Sequence, residues 1–332
     1  MKDTPPIRLS STQVAGTPRA HRRADPVLDG LRAAHKYLPC RLLYDARGAA
    51  LFERICTLDA YYPTRTEIAL LEQHLPEISD LLGAHARVIE PGSGEGIKTR
   101  LLLEALEAPA IYVPIDVSHE QLTSTAARLR AGFPDLEVTP VAGDYTTPLA
   151  LPATRAHSAR TLVFFPGSTI GNFEPDEARD FLARFAALAG AGAQLLLGAD
   201  STSDPDVLLR AYDDEEGVTA AFDLNVLAHL RHTHAASFDL DSFVHRAVWN
   251  QARARVEMHL VSRCRQSVHV AGELFHFARG ESIVTEHCYK HSPAAMAELL
   301  AAAGWSVRQT FTGAPQPMRL WLCETSESSP RQ

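Results

Sequence analysis

The chain has 332 residues, 45% of them hydrophobic and 22% charged, with a formal net charge of −8 at pH 7. That length supports a large core and two domains, in a composition typical of soluble globular proteins. The acidic balance argues against a nucleic-acid partner, which needs clustered Lys and Arg to meet phosphates.

Residues 1–24 carry charge, Pro, Ser and Thr without a continuous apolar stretch. They read as a disordered tail, with no signal peptide and no membrane span. Asp25-Pro26 then supplies an N-cap and first-turn pair for a helix through Val27, Leu28 and Leu31. Leu51, Phe52 and Ile55 have helical spacing. Pro63 biases Tyr62 away from helix, and Thr66-Glu67 opens a longer helix through Leu70, Leu71, Leu75 and Ile78.

The stretch Val88-Ile89-Glu90-Pro91-Gly92-Ser93-Gly94-Glu95-Gly96-Ile97-Lys98-Thr99 is a strand, a glycine loop and a helix start. Such a loop admits a nucleotide, because glycines let the backbone approach a ligand and a helix end presents free N–H groups. Three ligands compete. A dinucleotide loop and a P-loop both want glycine where Ile97 stands, and Glu95 repels a polyphosphate. S-adenosyl-L-methionine (SAM) has no phosphate and carries an amino-acid tail. Glu90 or a backbone carbonyl suits its ammonium, and Lys98 suits its carboxylate.

Apolar runs alternate with helices from there on. Strand 87–90 leads to helix 97–107, and strand 110–115 ends at Asp116, about twenty residues past the glycine loop, where an acid grips ribose hydroxyls. Helix 118–131, strand 136–141, strand 161–165, helix 175–189 and strand 194–198 follow. The pattern predicts a parallel sheet covered on both faces. Residues 204–231 read as helices, and 254–270 and 273–290 alternate as strands. Helix 293–303 and strands 305–312 and 318–324 close the chain. Helix followed by two strands is how a SAM-methyltransferase sheet ends. The expected fold is therefore α/β: a class I SAM methyltransferase with a Rossmann-like, mostly parallel seven-stranded sheet and a second, discontinuous α+β domain. Residues 66–200 and 291–324 form the first unit; residues 25–65 and 201–290 form a substrate-recognition unit over the C-terminal strand ends.

Cys40, Cys56, Cys264, Cys288 and Cys323 are scattered, odd in number and free of C-x-x-C spacing. They read as reduced thiols of a cytoplasmic protein. His229, His232 and His234 lie close in sequence, but no acids or cysteines accompany them, so no metal is expected.

Several motifs occur together: Tyr44-Asp45-Ala46, Tyr61-Tyr62-Pro63-Thr64-Arg65-Thr66-Glu67, Gly143-Asp144, Gly167-Ser168-Thr169-Ile170-Gly171-Asn172, Arg210-Ala211-Tyr212-Asp213-Asp214 and Gly217-Val218-Thr219-Ala220-Ala221-Phe222. With the glycine loop, they resemble the histidine-specific Nα-methyltransferases, which make hercynine in ergothioneine biosynthesis. The resemblance runs from about residue 25 to 324. It implies three successive methyl transfers from SAM to the α-amine of L-histidine. Carried over by position, Glu90, Gly92, Ser93, Gly94, Lys98, Asp116, Asp144 and Tyr145 hold SAM. Asp144 then meets the adenine amine, and the Tyr145 backbone N–H meets the ring. The resemblance places Tyr61, Asn172 and Tyr212 on the amino-acid carboxylate and amine, Tyr44 near the amine, Met258 beside the imidazole and Glu286 on it. Tyr44, Tyr61 and Asn172 are the catalytic candidates. The family has Glu-x-Ser where this chain has Glu286-His287-Cys288, and a thiol is a weaker hydrogen-bond partner than a hydroxyl. Cys288 therefore keeps open another substrate, such as tryptophan or tyrosine. A P-loop-like phosphotransferase and a non-catalytic SAM- or betaine-binding protein are the more distant alternatives. The expected partner is a small amino acid, with no nucleic acid and no membrane, and the expected state is a monomer.

Overall fold

The structure, a computed structural model, describes residues 25–94, 96–313 and 317–325. The expected disordered tail, residues 1–24, and the expected influence of Glu95 lie outside the described residues.

Asp25 caps α1 (Pro26–Arg32), its carboxylate accepting the Val27 N–H at 3.0 Å. After α2 (Ala46–Thr57), α3 runs over Tyr62–Leu82. It starts at Tyr62, not at Thr66, because Pro63 falls in the first turn, where a missing N–H costs nothing.

Then come β1 (Ala86–Pro91), α4 (Ile97–Ala105), β2 (Ile111–Asp116), α5 (His119–Gly132), β3 (Glu137–Val138), β4 (Val141–Ala142), β5 (Arg160–Phe165), α6 (Pro175–Ala189) and β6 (Gln194–Asp200). The strand expected over 136–141 is two short pieces, both parallel to β2. Thr139-Pro140 separates them, and Pro140 has no N–H to give a ladder. The chain next forms α7 (Pro205–Tyr212), α8 (Val218–Thr233), β7 (Phe243–Asn250), β8 (Arg255–Ser262), β9 (Gln266–Val270), β10 (Glu273–Phe277) and β11 (Ser282–Tyr289). It returns through α9 (Pro293–Ala302), β12 (Trp305–Thr312) and β13 (Met318–Thr325).

The main sheet has the order β12-β13-β6-β5-β1-β2-β3, with β4 also on β2. Strands β1, β2, β5 and β6 pair in parallel, while β13 runs antiparallel to both β6 and β12. This is the class I SAM-methyltransferase fold, with its third strand broken in two. Burial alternates along the central strands. Val88, Leu162, Phe164 and Leu196 face one core with Leu70 and Leu71 of α3 and Leu102 of α4. Ile89, Val163, Phe165 and Leu197 face the other, with Phe181 of α6 and Met296 of α9. Both faces are covered, as the continuous apolar runs predict.

A third apolar core joins Val27, Leu31, Leu43 and Tyr61 to Phe222, Val226, Phe243, Met258 and Ile283. It packs α1, α2 and α8 against the antiparallel sheet β11-β8-β7. Strand β7 has no counterpart among the expected elements. Its buried positions include His245, while Val244 and Val248 face outward, so polarity along the strand runs against the usual inward apolar pattern. Strand β11 lies against the turn Thr169–Asn172 that follows β5. Only glycine fits at 171: a Cβ there would stand 2.6 Å from the Tyr289 carbonyl oxygen.

Candidate active site

The C-terminal ends of β1, β2 and β5 open on a cavity of about 1800 Å³, closed on the other side by α2, α7 and β11. A volume above the usual few hundred to 1,000 Å³ leaves room for a cofactor and a second molecule together. Tyr44, Tyr61, Glu90, Gly92, Ser93, Gly94, Lys98, Asp116, Asp144, Tyr145, Asn172, Tyr212, Glu286 and Cys288 all line it. Met258 does not: it is buried in the core behind, opposite Glu286 in the β8–β11 ladder.

The glycine loop forms one half. Gly92, Gly94 and Gly96 all take positive φ, which turns the chain sharply from β1 into α4. The Ser93 hydroxyl is buried without a partner among the described residues. Asp116 accepts the Gly94 N–H at 3.4 Å and the Ser118 N–H at 2.9 Å. Asp144 accepts the Thr146 N–H at 2.8 Å in an Asx turn. The Tyr145 ring stands against Gly92 and packs edge-on to Phe165 and Phe181. Glu90 is buried, with Oε2 accepting from Thr99 Oγ1 and the Tyr112 hydroxyl, both at 2.6 Å. Burial raises its carboxyl to about 7, against the pull of those two bonds. Lys98 is paired with Glu67, a fully buried acid of α3 that also accepts the Gly167 N–H at 2.8 Å. The Lys98 ammonium thus has a protein partner, which its sequence position did not reveal. SAM fits this half: an orphaned hydroxyl, a backbone cradle and a β2 acid match a ligand with a carboxylate and a ribose.

The other half is aromatic and carboxylic. Tyr44, Phe52, Phe222 and Tyr61 form a chain of ring contacts, with Tyr44 5.5 Å from Phe52 and 5.4 Å from Phe222 between centroids. Tyr61 meets Tyr212 edge-on at 6.0 Å. Burial pushes the phenols of Tyr44, Tyr61 and Tyr212 well above their ordinary range, so all three are neutral near pH 7. On β11, Glu286 and Cys288 share the inward face. Burial first, and the charge of Asp223 second, push the Glu286 carboxyl up to about 8. The Asn172 side-chain nitrogen approaches Glu286 Oε2 to 3.5 Å, bringing the turn after β5 to the β11 acid.

Behind the cavity wall lie groups that the sequence did not single out. Lys290 is buried, 3.0 Å from Asp200 and 3.0 Å from the Tyr212 hydroxyl. Asp223 bonds His245 Nδ1 at 2.6 Å, and His245 Nε2 sits 2.9 Å from the Tyr212 carbonyl. Asp214, two residues past Tyr212, caps α8 through the Val218 and Thr219 N–H groups. The nearest sequence signal is the strand expected over 194–198, which Asp200 closes as the last residue of β6. His229 Nδ1 lies 2.9 Å from the Leu42 carbonyl, and no metal-type cluster occurs among the described residues. No helix among the described residues is long and apolar enough to cross a membrane.

A sequence family described as histidine-specific, SAM-dependent methyltransferases matches residues 23–325. The chain is 43% identical to a histidine N-alpha-methyltransferase of Mycolicibacterium smegmatis over 287 residues, covering 85% of this chain and 87% of that one. A histidine N-alpha-methyltransferase of Mycobacterium tuberculosis is 40% identical over 285 residues, covering 84% and 87%. The 4-dimethylallyltryptophan N-methyltransferase easF of Epichloe festucae var. lolii is 28% identical over 304 residues, covering 84% and 88%.

Proposed function

The chain belongs to the histidine-specific, SAM-dependent methyltransferases, and from that premise we propose that it transfers three methyl groups in succession to the α-amine of L-histidine, forming hercynine. Ser93, Gly94, Asp116, Asp144 and the Tyr145 backbone hold SAM, with Lys98 and Glu90 at the loop's two ends. Bound SAM supplies a methyl carbon already activated by a sulfonium.

The protein's own part is alignment and a neutral amine. Tyr61, Tyr212 and Asn172 bind the amino-acid carboxylate and amine. A free α-amine is protonated at neutral pH, so it must release a proton to solvent water before each attack. Neutral phenol oxygens at Tyr44 and Tyr61 accept hydrogen bonds from the amine's remaining N–H groups. The aromatic group Tyr44, Phe52 and Tyr61 faces the growing positive charge, each ring worth about 0.5–2 kcal/mol to a desolvated cation. The observation that carries the histidine assignment is Glu286. It is a buried carboxyl on the cavity wall, held at about 8, without an arginine or lysine in direct contact among the described residues. An imidazole gives it a hydrogen-bond partner that phenylalanine or leucine lacks, and a site built around such a bond rejects analogues strongly.

A division of labour belongs to the same reading. Residues 66–200 and 291–324 hold SAM, and residues 25–65 and 201–290 choose the amino acid. The enzyme acts as a cytoplasmic monomer on a free small molecule. Cys288 in place of serine, with a relative named for a tryptophan derivative, favours methylation of a larger amino acid as the second reading. Incubation with SAM and each proteinogenic amino acid, read by mass spectrometry, separates the two. Histidine should gain three methyl groups. No product from histidine, with a product from tryptophan or tyrosine, would establish the second reading.

A further inference from the structure

We propose that Lys290 is a positioning residue for the amino-acid substrate: its buried ammonium fixes the Tyr212 hydroxyl as a hydrogen-bond donor into the cavity. The inference rests on the reading of Tyr212 as a substrate-binding group.

A lysine ammonium has three N–H donors and no acceptor. Lys290 Nζ lies 3.0 Å from Asp200 Oδ2, 3.0 Å from the Tyr212 oxygen and 3.3 Å from Cys288 Sγ. Each donor has one acceptor. The Tyr212 oxygen accepts from Lys290, so its single proton points elsewhere. Cys288 Sγ lies 3.0 Å from that oxygen, close enough either to take this proton or to give its own. A substrate carboxylate in the cavity offers a stronger acceptor, and the Tyr212 proton turns to it already polarised by the cation.

The pair is built for this more than for stability. The Lys290 and Asp200 side chains are 1% and 0% exposed, and buried ion pairs add little to stability compared with apolar residues of the same volume. Asp200 is fully committed on the far side. Tyr62 donates to Oδ2 at 2.5 Å, and Thr202 donates to Oδ1 from its N–H at 3.0 Å and its hydroxyl at 2.6 Å. This closes a chain from the end of β6 through Lys290 to Tyr212 at the end of α7. Neither Asp200 nor Lys290 lines the cavity.

The test is a double-mutant cycle. Asp200→Asn with Lys290→Met removes both charges together, so no lone buried charge is left. L-Histidine binding to the S-adenosylhomocysteine complex is measured by calorimetry in wild type, the charge-free variant, Tyr212→Phe and the combination. The expected result is about a tenfold loss of histidine affinity from removing the pair. S-Adenosylhomocysteine affinity should hold, and nothing further should be lost when Tyr212 is already Phe. An equal loss in the Tyr212→Phe background, or no loss in the native background, overturns the proposal. Should the charge-free variant fail to fold, Asp200→Asn with Lys290→Gln, which leaves no lone charge and takes the cation away from Tyr212 while keeping N–H donors, carries the same comparison. A wild-type protein that binds no histidine counts against the substrate reading instead, and the cycle then runs on the amino acid that is methylated.

Discussion

Replacing Glu286 by Gln separates what this carboxyl does for binding from what it costs the fold. In the folded chain its carboxyl is raised to about 8 from 4.5, chiefly by burial and secondly by Asp223. An unfolded chain releases that proton near 4.5, while the folded chain keeps it up to about 8. Over that window the folded state binds the extra proton, so stability falls as pH rises. At about 1.36 kcal/mol per pH unit the loss amounts to about 5 kcal/mol at most. Gln has the same shape and no proton to lose. Thermal unfolding of the ligand-free proteins should give matching midpoints near pH 5, with the variant gaining several degrees by about pH 8.5. The same substitution should raise KM for histidine about tenfold or more, because the imidazole loses its ionisable partner, while SAM affinity stays within about twofold. Midpoints that run in parallel across the pH range would refute the buried-carboxyl argument. Equal losses of histidine and SAM binding would refute the assignment of Glu286 to the substrate.

Cys288→Ser should lower KM for histidine about fivefold, since a hydroxyl on the cavity wall beside Glu286 is a stronger hydrogen-bond partner for the imidazole than a thiol; a higher KM in steady-state assays would mean the thiol is matched to another substrate. Asp116→Asn should weaken SAM about tenfold by calorimetry and leave the amino-acid KM nearly unchanged, because Asp116 sits at the end of β2, beside the glycine loop; a change in the amino-acid KM alone would contradict this placement. Gly171→Ala should cost about 1–3 kcal/mol of stability and raise the amino-acid KM, because its Cβ would press on the Tyr289 carbonyl and push β11 from Asn172; an unchanged thermal midpoint would show that the strand shifts freely.

The sheet was legible because its signals are local. A glycine loop between an apolar run and a helix, an acid at the end of β2, and the closing helix and strand pair each need only a few neighbouring residues. Pro63 misled because a proline both ends and begins helices, and only the N-terminal role operates here. Strand β7 was hidden by His245, whose inward position makes sense only beside Asp223 on α8. The cavity residues were recognisable as motifs, but their partners were not. Lys98 and Glu67 stand on different helices, and Lys290 on the far side of Tyr212 reads in sequence as an ordinary lysine after a strand. Its meaning depends on Asp200, ninety positions earlier, which only the fold brings within 3.0 Å. Specificity is the least local property of all. Glu286 acquires its raised carboxyl from burial by the third core and from Asp223, neither of which its own strand displays.

The central claim is that one cavity brings the SAM methyl group to the α-nitrogen of histidine while Glu286 holds the ring. Turnover of L-histidine with deuteromethyl-labelled SAM, followed by tandem mass spectrometry of the product, tests it directly. The account predicts three labelled methyl groups on the α-nitrogen, released together as labelled trimethylamine, and an unlabelled imidazole. Label on a ring nitrogen, or no labelled product from histidine, would contradict it.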